Sequence, residues 1–186
     1  MGRNSTTKIS RRALVAGAGI AFLRSAFGAP ALAVDAPTLD GRFDYLSNNG
    51  NSNCTTAFLK SIPTMPATAR IQGSCCSPME RMRYGEQIEG LKKYRDVPEI
   101  PPDPYDIAAD IAQKALVSYD IALNADEQRV YDFAMARSSE QGPCCCQCWR
   151  WRVFGGLGKT LIRERGFTGE QVTEVWNLSD GCGGAS

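Results

Sequence analysis

Cysteine constrains this chain more than any other residue type. The 186 residues include eight cysteines and no histidine. Two cysteines are adjacent at positions 75 and 76, four lie between positions 144 and 148, and Cys54 and Cys182 stand apart from both groups. Without histidine, the sequence excludes a Ser-His-Asp triad, a Cys-His catalytic pair and an imidazole metal ligand. Any metal site must therefore use thiolate, thioether, carboxylate or backbone ligands.

The first 33 residues predict a twin-arginine (Tat) signal peptide. Arg11 and Arg12 stand within Ser-Arg-Arg-Ala-Leu, an apolar stretch covers residues 13–23, and residues 31–33 are Ala-Leu-Ala, as at a signal-peptidase site. The apolar stretch is too short to span a bilayer. We therefore expect the Tat translocase as a partner during export, cleavage after Ala33, a periplasmic or extracellular location, and no membrane association after cleavage.

Basic residues are concentrated in the predicted signal peptide. It holds five of the 21 lysines and arginines and none of the 20 acidic residues, so the remainder has 16 basic and 20 acidic side chains. This balance argues against nucleic-acid binding, which needs a basic face. The carboxylates show no paired arrangement typical of acid–base catalysis, which favours a binding protein over an enzyme.

Two regions are predicted after the signal peptide. Residues 34–74 are expected to form an irregular arm, because residues 48–53 are rich in turn formers and prolines at 63 and 66 interrupt any helix. Residues 75–186 are expected to form a cysteine-rich helical domain. Since no segment alternates as a strand would, the predicted fold class is all-α, a small irregular bundle of about five helices.

Capping patterns and apolar spacing mark the helix starts. Ser77 and Glu80 form a capping-box pattern. Gly166 is placed to end the fourth helix, whose glycines at 155, 156 and 158 are expected to allow close packing or a bend. The five predicted helices begin near Ser77, Asp103, Asn124, Cys146 and Thr168.

Both cysteine groups are predicted to lie at helix N-termini. Unpaired amide groups and the helix dipole stabilise anions there, so the thiol pKa values are expected to fall. Thiolate is the form that binds a soft ion, and the candidates are Cu(I), Zn(II) and an iron–sulfur cluster. The predicted ligand pool is Cys144, Cys145, Cys146 and Cys148, with Cys75, Cys76 and Cys182 as auxiliary ligands or disulfide partners.

Two other interpretations of the cysteines remain open. An exported protein meets an oxidising compartment, where an even number of cysteines is typical of disulfides. The chain would then be a structural or interaction domain stapled by disulfides. Alternatively, Cys145 and Cys148 form a C-x-x-C pair of the kind that thiol–disulfide oxidoreductases use, although the βαβ pattern of such enzymes is missing.

Methionine and tryptophan side chains accompany the cysteines. Met79 and Met82 lie one helical turn apart after the first cysteine pair, and their thioethers could extend a copper site. Core packing is the simpler interpretation. Trp149, Trp151 and Trp176 are expected to pack in the core and to shield the cysteines from solvent.

Residues 143–148, Pro-Cys-Cys-Cys-Gln-Cys, resemble the signature of the bacterial PCYCGC-motif proteins, which are exported. The resemblance covers roughly residues 126–182. Cys145 stands where that family has tyrosine, and Gln147 stands where it has glycine. The resemblance implies thiol-based metal binding and names no substrate.

Overall fold

The computed structural model describes residues 38–183, so the predicted signal peptide lies outside the described residues. Within that range the chain forms seven α-helices and one two-stranded antiparallel sheet. The helices are α1 (Leu39–Asn48), α2 (Thr56–Ser61), α3 (Arg81–Leu91), α4 (Ala109–Tyr119), α5 (Ala125–Arg137), α6 (Trp149–Arg165) and α7 (Gly169–Ser179), and the strands are β1 (Arg70–Gln72) and β2 (Asp106–Ala108). Short 3₁₀ turns, Ile62–Thr64 and Lys92–Tyr94, extend α2 and α3.

The prediction of a mainly helical fold is confirmed, but the count of five helices and the absence of a sheet are wrong. The two strands are three residues each, too short to show a period-two pattern. Ile71 and Ile107 face each other across the ladder, and both side chains are fully buried. Ile107 therefore belongs to β2, and the helix predicted to begin near Asp103 begins at Ala109.

Residues 38–74 are more regular than the predicted irregular arm. They contain α1, α2 and β1. Thr38 caps α1 by accepting a hydrogen bond from the Gly41 amide, and Thr55 caps α2 by accepting from the Phe58 amide. The segment predicted as an irregular arm therefore contains regular secondary structure.

Local capping chemistry explains most of the helix boundaries. Asn124 and Thr168, where helices were predicted to begin, each form a capping box, and Gly166 ends α6 as predicted, in the left-handed conformation with a φ of 65°. The box predicted at Ser77 is wrong, because the Glu80 carboxylate is itself the cap and α3 begins at the next residue.

The core is arranged around α6, whose buried face runs from Trp149 to Ile162. Gly156 allows the closest approach, since a Cβ there would stand 1.8 Å from the Ala115 carbonyl oxygen of α4. The predicted role of these glycines in close packing is confirmed. Among residues 38–183, no helix combines the length and the apolar character that crossing a membrane requires.

We predict that Gly156→Ala destabilises the fold by about 2 kcal/mol or more. The new methyl group would collide with backbone atoms, which cannot move aside by changing rotamer as a side chain can. Gly85→Ala is the matched control. Its Cβ would meet only Leu39 at 3.8 Å, in the interior of α3. The control should be neutral or gain about 0.5–1 kcal/mol from helix propensity. Urea unfolding under reducing conditions measures both values, and equal stability of the two variants would contradict the assigned packing.

Candidate metal centre

Four separate segments of the chain meet at the cysteines. The first precedes α2, where the amides of Asn51 and Ser52 donate to the Gln72 carbonyl at 3.0 and 3.2 Å. These bonds hold the segment against the end of β1. They bring Cys54 beside the adjacent cysteine pair, and its thiol donates to the Cys75 carbonyl at 3.4 Å.

The second and fourth segments are joined through one carbonyl group. The Cys182 carbonyl oxygen accepts from the Ser77 amide at 2.9 Å, from the Ser77 hydroxyl at 3.0 Å and from the Ser74 hydroxyl at 2.7 Å. Gly183 follows with a φ of 75°, and a Cβ there would stand 2.1 Å from the Ser77 carbonyl oxygen. The C-terminal segment is thereby held against the loop that carries Cys75 and Cys76.

The third segment is the cysteine-rich loop before α6. Ser138 fixes its start, since its hydroxyl accepts from the Gly142 amide at 2.7 Å and donates to the Gly142 carbonyl at 3.0 Å. A Cβ on Gly142 would stand 2.4 Å from the Trp151 ring, so the loop packs directly on α6. Cys148 ends the loop as the residue that precedes α6.

All eight cysteines converge where these segments meet, and we call them the thiol cluster. The Sγ of Cys76 lies 3.0 Å from that of Cys54, 3.6 Å from that of Cys146 and 3.7 Å from that of Cys75. Cys54 also lies 3.7 Å from Cys146. The members of the thiol cluster are Cys54, Cys75, Cys76, Cys144, Cys145, Cys146, Cys148 and Cys182.

Four sets of ligand atoms within the described residues are compact enough to hold an ion, each with all its atoms within 4.8 Å of one another. One set has four sulfurs, two sets have three sulfurs, and one set combines two sulfurs with a carboxylate oxygen. The sets are Cys76, Cys145, Cys146 and Cys182; Cys54, Cys146 and Cys148; Cys54, Cys75 and Cys76; and Cys144, Asp180 and Cys182.

Each of the seven predicted ligands belongs to one of these sets. Sequence reasoning missed two further members, Cys54 and Asp180. Cys54 stands alone in the sequence, and its only signal was that it completes an even number of cysteines. Asp180 lies two residues before Cys182 and accepts a hydrogen bond from its amide at 3.2 Å.

The separations fit metal ligation at some pairs and bridge formation at others. Four sulfurs bound at ~2.3 Å around one ion would stand about 3.8 Å apart. The Sγ–Sγ distances of 3.6 and 3.7 Å from Cys146 to Cys76 and Cys54 match that separation. The 2.7 Å contact between Cys144 and Cys182 is shorter, although still longer than the ~2.05 Å of a disulfide bond.

Burial divides the thiol cluster into two faces. Cys144, Cys148 and Cys182 are buried, at 0%, 7% and 3% exposure. Cys54, Cys76 and Cys145 are exposed, and the remaining two are half-buried. An ion can therefore reach the exposed face from solvent, and the buried face lies behind it.

Hydrogen bonds among the buried thiols shift their pKa values in opposite directions. The pKa of Cys148 is lowered by hydrogen bonds from the Cys144 and Cys75 thiols. Donation to Cys148 raises the pKa of Cys144, and donation to Cys144 raises the pKa of Cys182. The lowered pKa therefore falls on Cys148, the residue that precedes α6.

Burial raises the pKa values of three other thiols. It raises the pKa of Cys76 to about 12 and also raises those of Cys54 and Cys146. The expectation of lowered pKa values is confirmed for Cys148 and wrong for Cys76, Cys144 and Cys146. Desolvation by burial is the main cause for Cys76 and Cys146, whereas donation to Cys148 is the main cause for Cys144. The Cys75–Cys76 pair also has no helix N-terminus beside it, because α3 begins at Arg81.

A buried arginine lies next to the thiol cluster. Arg150, in the first turn of α6, is 1% exposed. Its guanidinium donates to the carbonyl oxygens of Pro104 at 2.8 Å and Gly73 at 3.2 Å, and Nε has no partner among the described residues. A Cβ on Gly181 would stand 2.2 Å from its Nη1, so this cation is in contact with the residue before Cys182.

The other predicted neighbours have simpler roles. Met82 is 73% exposed, and Met79 packs with the small hydrophobic cluster around Tyr84. Trp149 and Trp176 are buried in the main core, as expected, and Trp149 packs against Phe58 of α2 with ring centroids 5.7 Å apart.

No protein-family model, no curated protein and no solved structure matches the chain. The resemblance of residues 143–148 to the PCYCGC motif therefore stays a prediction.

We predict a graded order of alkylation in reduced, metal-free protein. Exposed Cys145 should react with iodoacetamide first. Buried Cys144 and Cys182 should react last, because a low thiolate fraction and poor solvent access both slow their alkylation. The rate at Cys76 should rise about tenfold per pH unit, since the thiolate fraction grows with pH below a pKa of about 12. Pulsed labelling with peptide mapping measures this order. In urea the order should disappear, and a uniform rate in the native protein would refute the described burial.

Proposed function

We propose that this protein is an exported thiolate protein that binds a soft metal through its clustered cysteines. The observation that carries the proposal is the four-sulfur set of Cys76, Cys145, Cys146 and Cys182, whose sulfurs all lie within 4.8 Å of one another. These ligands come from three segments that are distant in sequence. Their convergence is therefore a property of the fold and not of one cysteine-rich peptide.

The ligand chemistry selects the class of ion. Sulfur dominates every set, the chain has no histidine, and Asp180 supplies the one carboxylate. Thiolates favour Cu(I), Zn(II) and iron–sulfur clusters over hard ions such as Mg²⁺ and Ca²⁺. The resemblance to the PCYCGC-motif proteins, which implies thiol-based metal binding, supports the same class.

Binding is a better description than catalysis. Catalytic zinc sites keep an open coordination position, whereas a site with four protein ligands is closed. The four-sulfur set satisfies a tetrahedral ion without water or substrate. The role that follows is metal handling, metal sensing or electron transfer.

A disulfide-stapled domain is the second candidate function. Two short contacts favour it: Cys144 with Cys182 at 2.7 Å and Cys54 with Cys76 at 3.0 Å. Each bridge would contribute ~3 kcal/mol by restricting the unfolded chain. The oxidoreductase alternative has less support, because Cys145 is exposed, Cys148 is buried, and no compact set contains both.

Export by the Tat route is part of the proposal. Its support is the Arg11-Arg12 pair, the apolar stretch and the Ala-Leu-Ala ending at Ala33. Proteins that take this route fold before export, which would allow the thiol cluster to be loaded in a reducing compartment.

We predict that protein purified without chelator carries bound metal, detected by elemental analysis. Cys76→Ser with Cys146→Ser removes half of the four-sulfur set and should lower the affinity by about 100-fold or more, since each lost thiolate removes a ligand from the ion. Met82→Leu is the control, because its exposed side chain lies outside the ligand sets and should leave binding unchanged.

Peptide mapping without reductant separates the two candidate functions. Metal binding predicts free or metal-protected thiols in the isolated protein. Eight cysteines all paired in disulfides, with no bound metal in protein that was never exposed to chelator, would refute metal binding and leave the disulfide-stapled domain.

We predict that Arg11→Lys with Arg12→Lys blocks export, because the twin arginines are the recognition feature of the Tat signal. Arg3→Lys is the matched control with the same chemical change outside the pair. Cell fractionation measures the precursor and the processed form. Unchanged processing of the double variant would refute the Tat assignment.

A further inference from the structure

Most pairs of compact sets share a sulfur, and only the set of Cys144, Asp180 and Cys182 has none in common with the two three-sulfur sets. At most two of the four sets can therefore hold ions without sharing a thiolate. Cys76 and Cys146 both belong to the four-sulfur set, and each also belongs to a three-sulfur set. Cys54 joins the two three-sulfur sets, and Cys182 joins the four-sulfur set to the set that contains Cys144. Two neighbouring sets can therefore hold ions at the same time only if a shared thiolate binds both ions.

Shared thiolates distinguish among the candidate metals. Zn(II) in a closed protein site takes four ligands, and the described residues supply one set of four sulfurs. An iron–sulfur cluster carries its own bridging sulfide and needs four terminal thiolates, so it would leave half of the thiol cluster unused. Cu(I) is a soft monovalent ion that accepts two or three thiolates and tolerates thiolate bridges, which matches the three-sulfur sets.

We propose that the thiol cluster forms one polynuclear Cu(I)–thiolate centre, in which Cys54, Cys76, Cys146 and Cys182 bridge neighbouring ions. This inference rests on the proposed metal-binding function. Each thiol releases its proton to solvent as its sulfur binds, and copper enters and remains as Cu(I), so no electron is transferred.

The surrounding charge is consistent with an anionic centre. Bridged copper–thiolate assemblies carry net negative charge when the thiolates outnumber the ions. The buried Arg150 guanidinium lies against Gly181, and its hydrogen-bond acceptors are neutral carbonyl groups. A buried cation without an anionic partner is costly, and an anionic centre beside Cys182 would supply that partner.

The two faces of the thiol cluster give the centre a direction of loading. Cys54, Cys76 and Cys145 are exposed, whereas Cys144 and Cys182 are buried behind them. The bridging sulfur of Cys76 lies on the exposed face and that of Cys182 on the buried face, and both belong to the four-sulfur set. Ions that bind at the surface can thus be passed inward by thiolate exchange.

The test is a titration of the reduced full-length protein with Cu(I) under anaerobic conditions, followed by native mass spectrometry. We expect at least three Cu(I) ions per chain, more than the sets can hold without a shared thiolate, with the loaded form appearing directly beside the metal-free form because bridged ions bind cooperatively. A parallel titration with Zn(II) is the comparison, and we expect it to give one bound Zn(II) ion per chain.

Two adjacent cysteines provide the variants. Cys146→Ser removes a sulfur shared by two sets, and Cys145→Ser removes a sulfur found in one set. We expect Cys146→Ser to lower the Cu(I) stoichiometry by at least one ion and by more than Cys145→Ser does, whereas Met82→Leu, outside every ligand set, should retain the wild-type stoichiometry. Circular dichroism confirms that both variants fold.

The outcomes distinguish this inference from the proposed function. Two or fewer Cu(I) ions per chain, or equal loss in both variants, would overturn the polynuclear centre and leave metal binding intact. Failure of Cu(I) and Zn(II) to bind the reduced protein, together with failure to assemble an iron–sulfur cluster, would overturn the proposed function itself.

Discussion

The candidate site depends on three hydrogen bonds to a single oxygen atom. Ser74 and Ser77 donate them to the Cys182 carbonyl, and they join the end of the chain to the loop after β1. The bonds hold Cys182 beside Cys144 and close the four-sulfur set. Residues 180–183 follow α7 and form no regular element, and the Gln87 side chain adds a further hydrogen bond to the Asp180 carbonyl at 2.5 Å. The convergence of eight thiols is therefore maintained by ordinary polar contacts between loops, built on the helical core.

Helix ends were the predictable part of this fold, and the sheet was not. Asn124, Thr168 and Gly166 act through side chains and backbone within one turn of their own position, so their effect can be read from the local sequence. The pairing of Ile71 with Ile107 joins residues far apart along the chain. Strands of three residues leave no periodic pattern, and only the burial of both side chains in the tertiary structure reveals them.

The candidate site shows the same division between local and distant information. Cys144, Cys145, Cys146 and Cys148 could be predicted as ligands because they are crowded within five residues. Cys54 could not, since it reaches the thiol cluster only through the bonds of its segment to Gln72. The pKa values also depend on tertiary contacts. A helix N-terminus lowers a thiol pKa, but burial raises the pKa values of Cys54, Cys76 and Cys146, and hydrogen bonds to neighbouring thiols raise those of Cys144 and Cys182.

The electrostatics of the site couple metal binding to the fold. In the metal-free protein the thiols with raised pKa values stay protonated at neutral pH, and buried Arg150 has only carbonyl acceptors. Releasing the thiol protons without a metal would leave adjacent thiolates that repel one another across less than 4 Å. A bound soft cation removes this conflict, because it attracts the thiolates together and leaves residual negative charge for the guanidinium. Metal binding would therefore stabilise the loops that carry the ligands. The free energy of metal binding would then contribute to the free energy of folding.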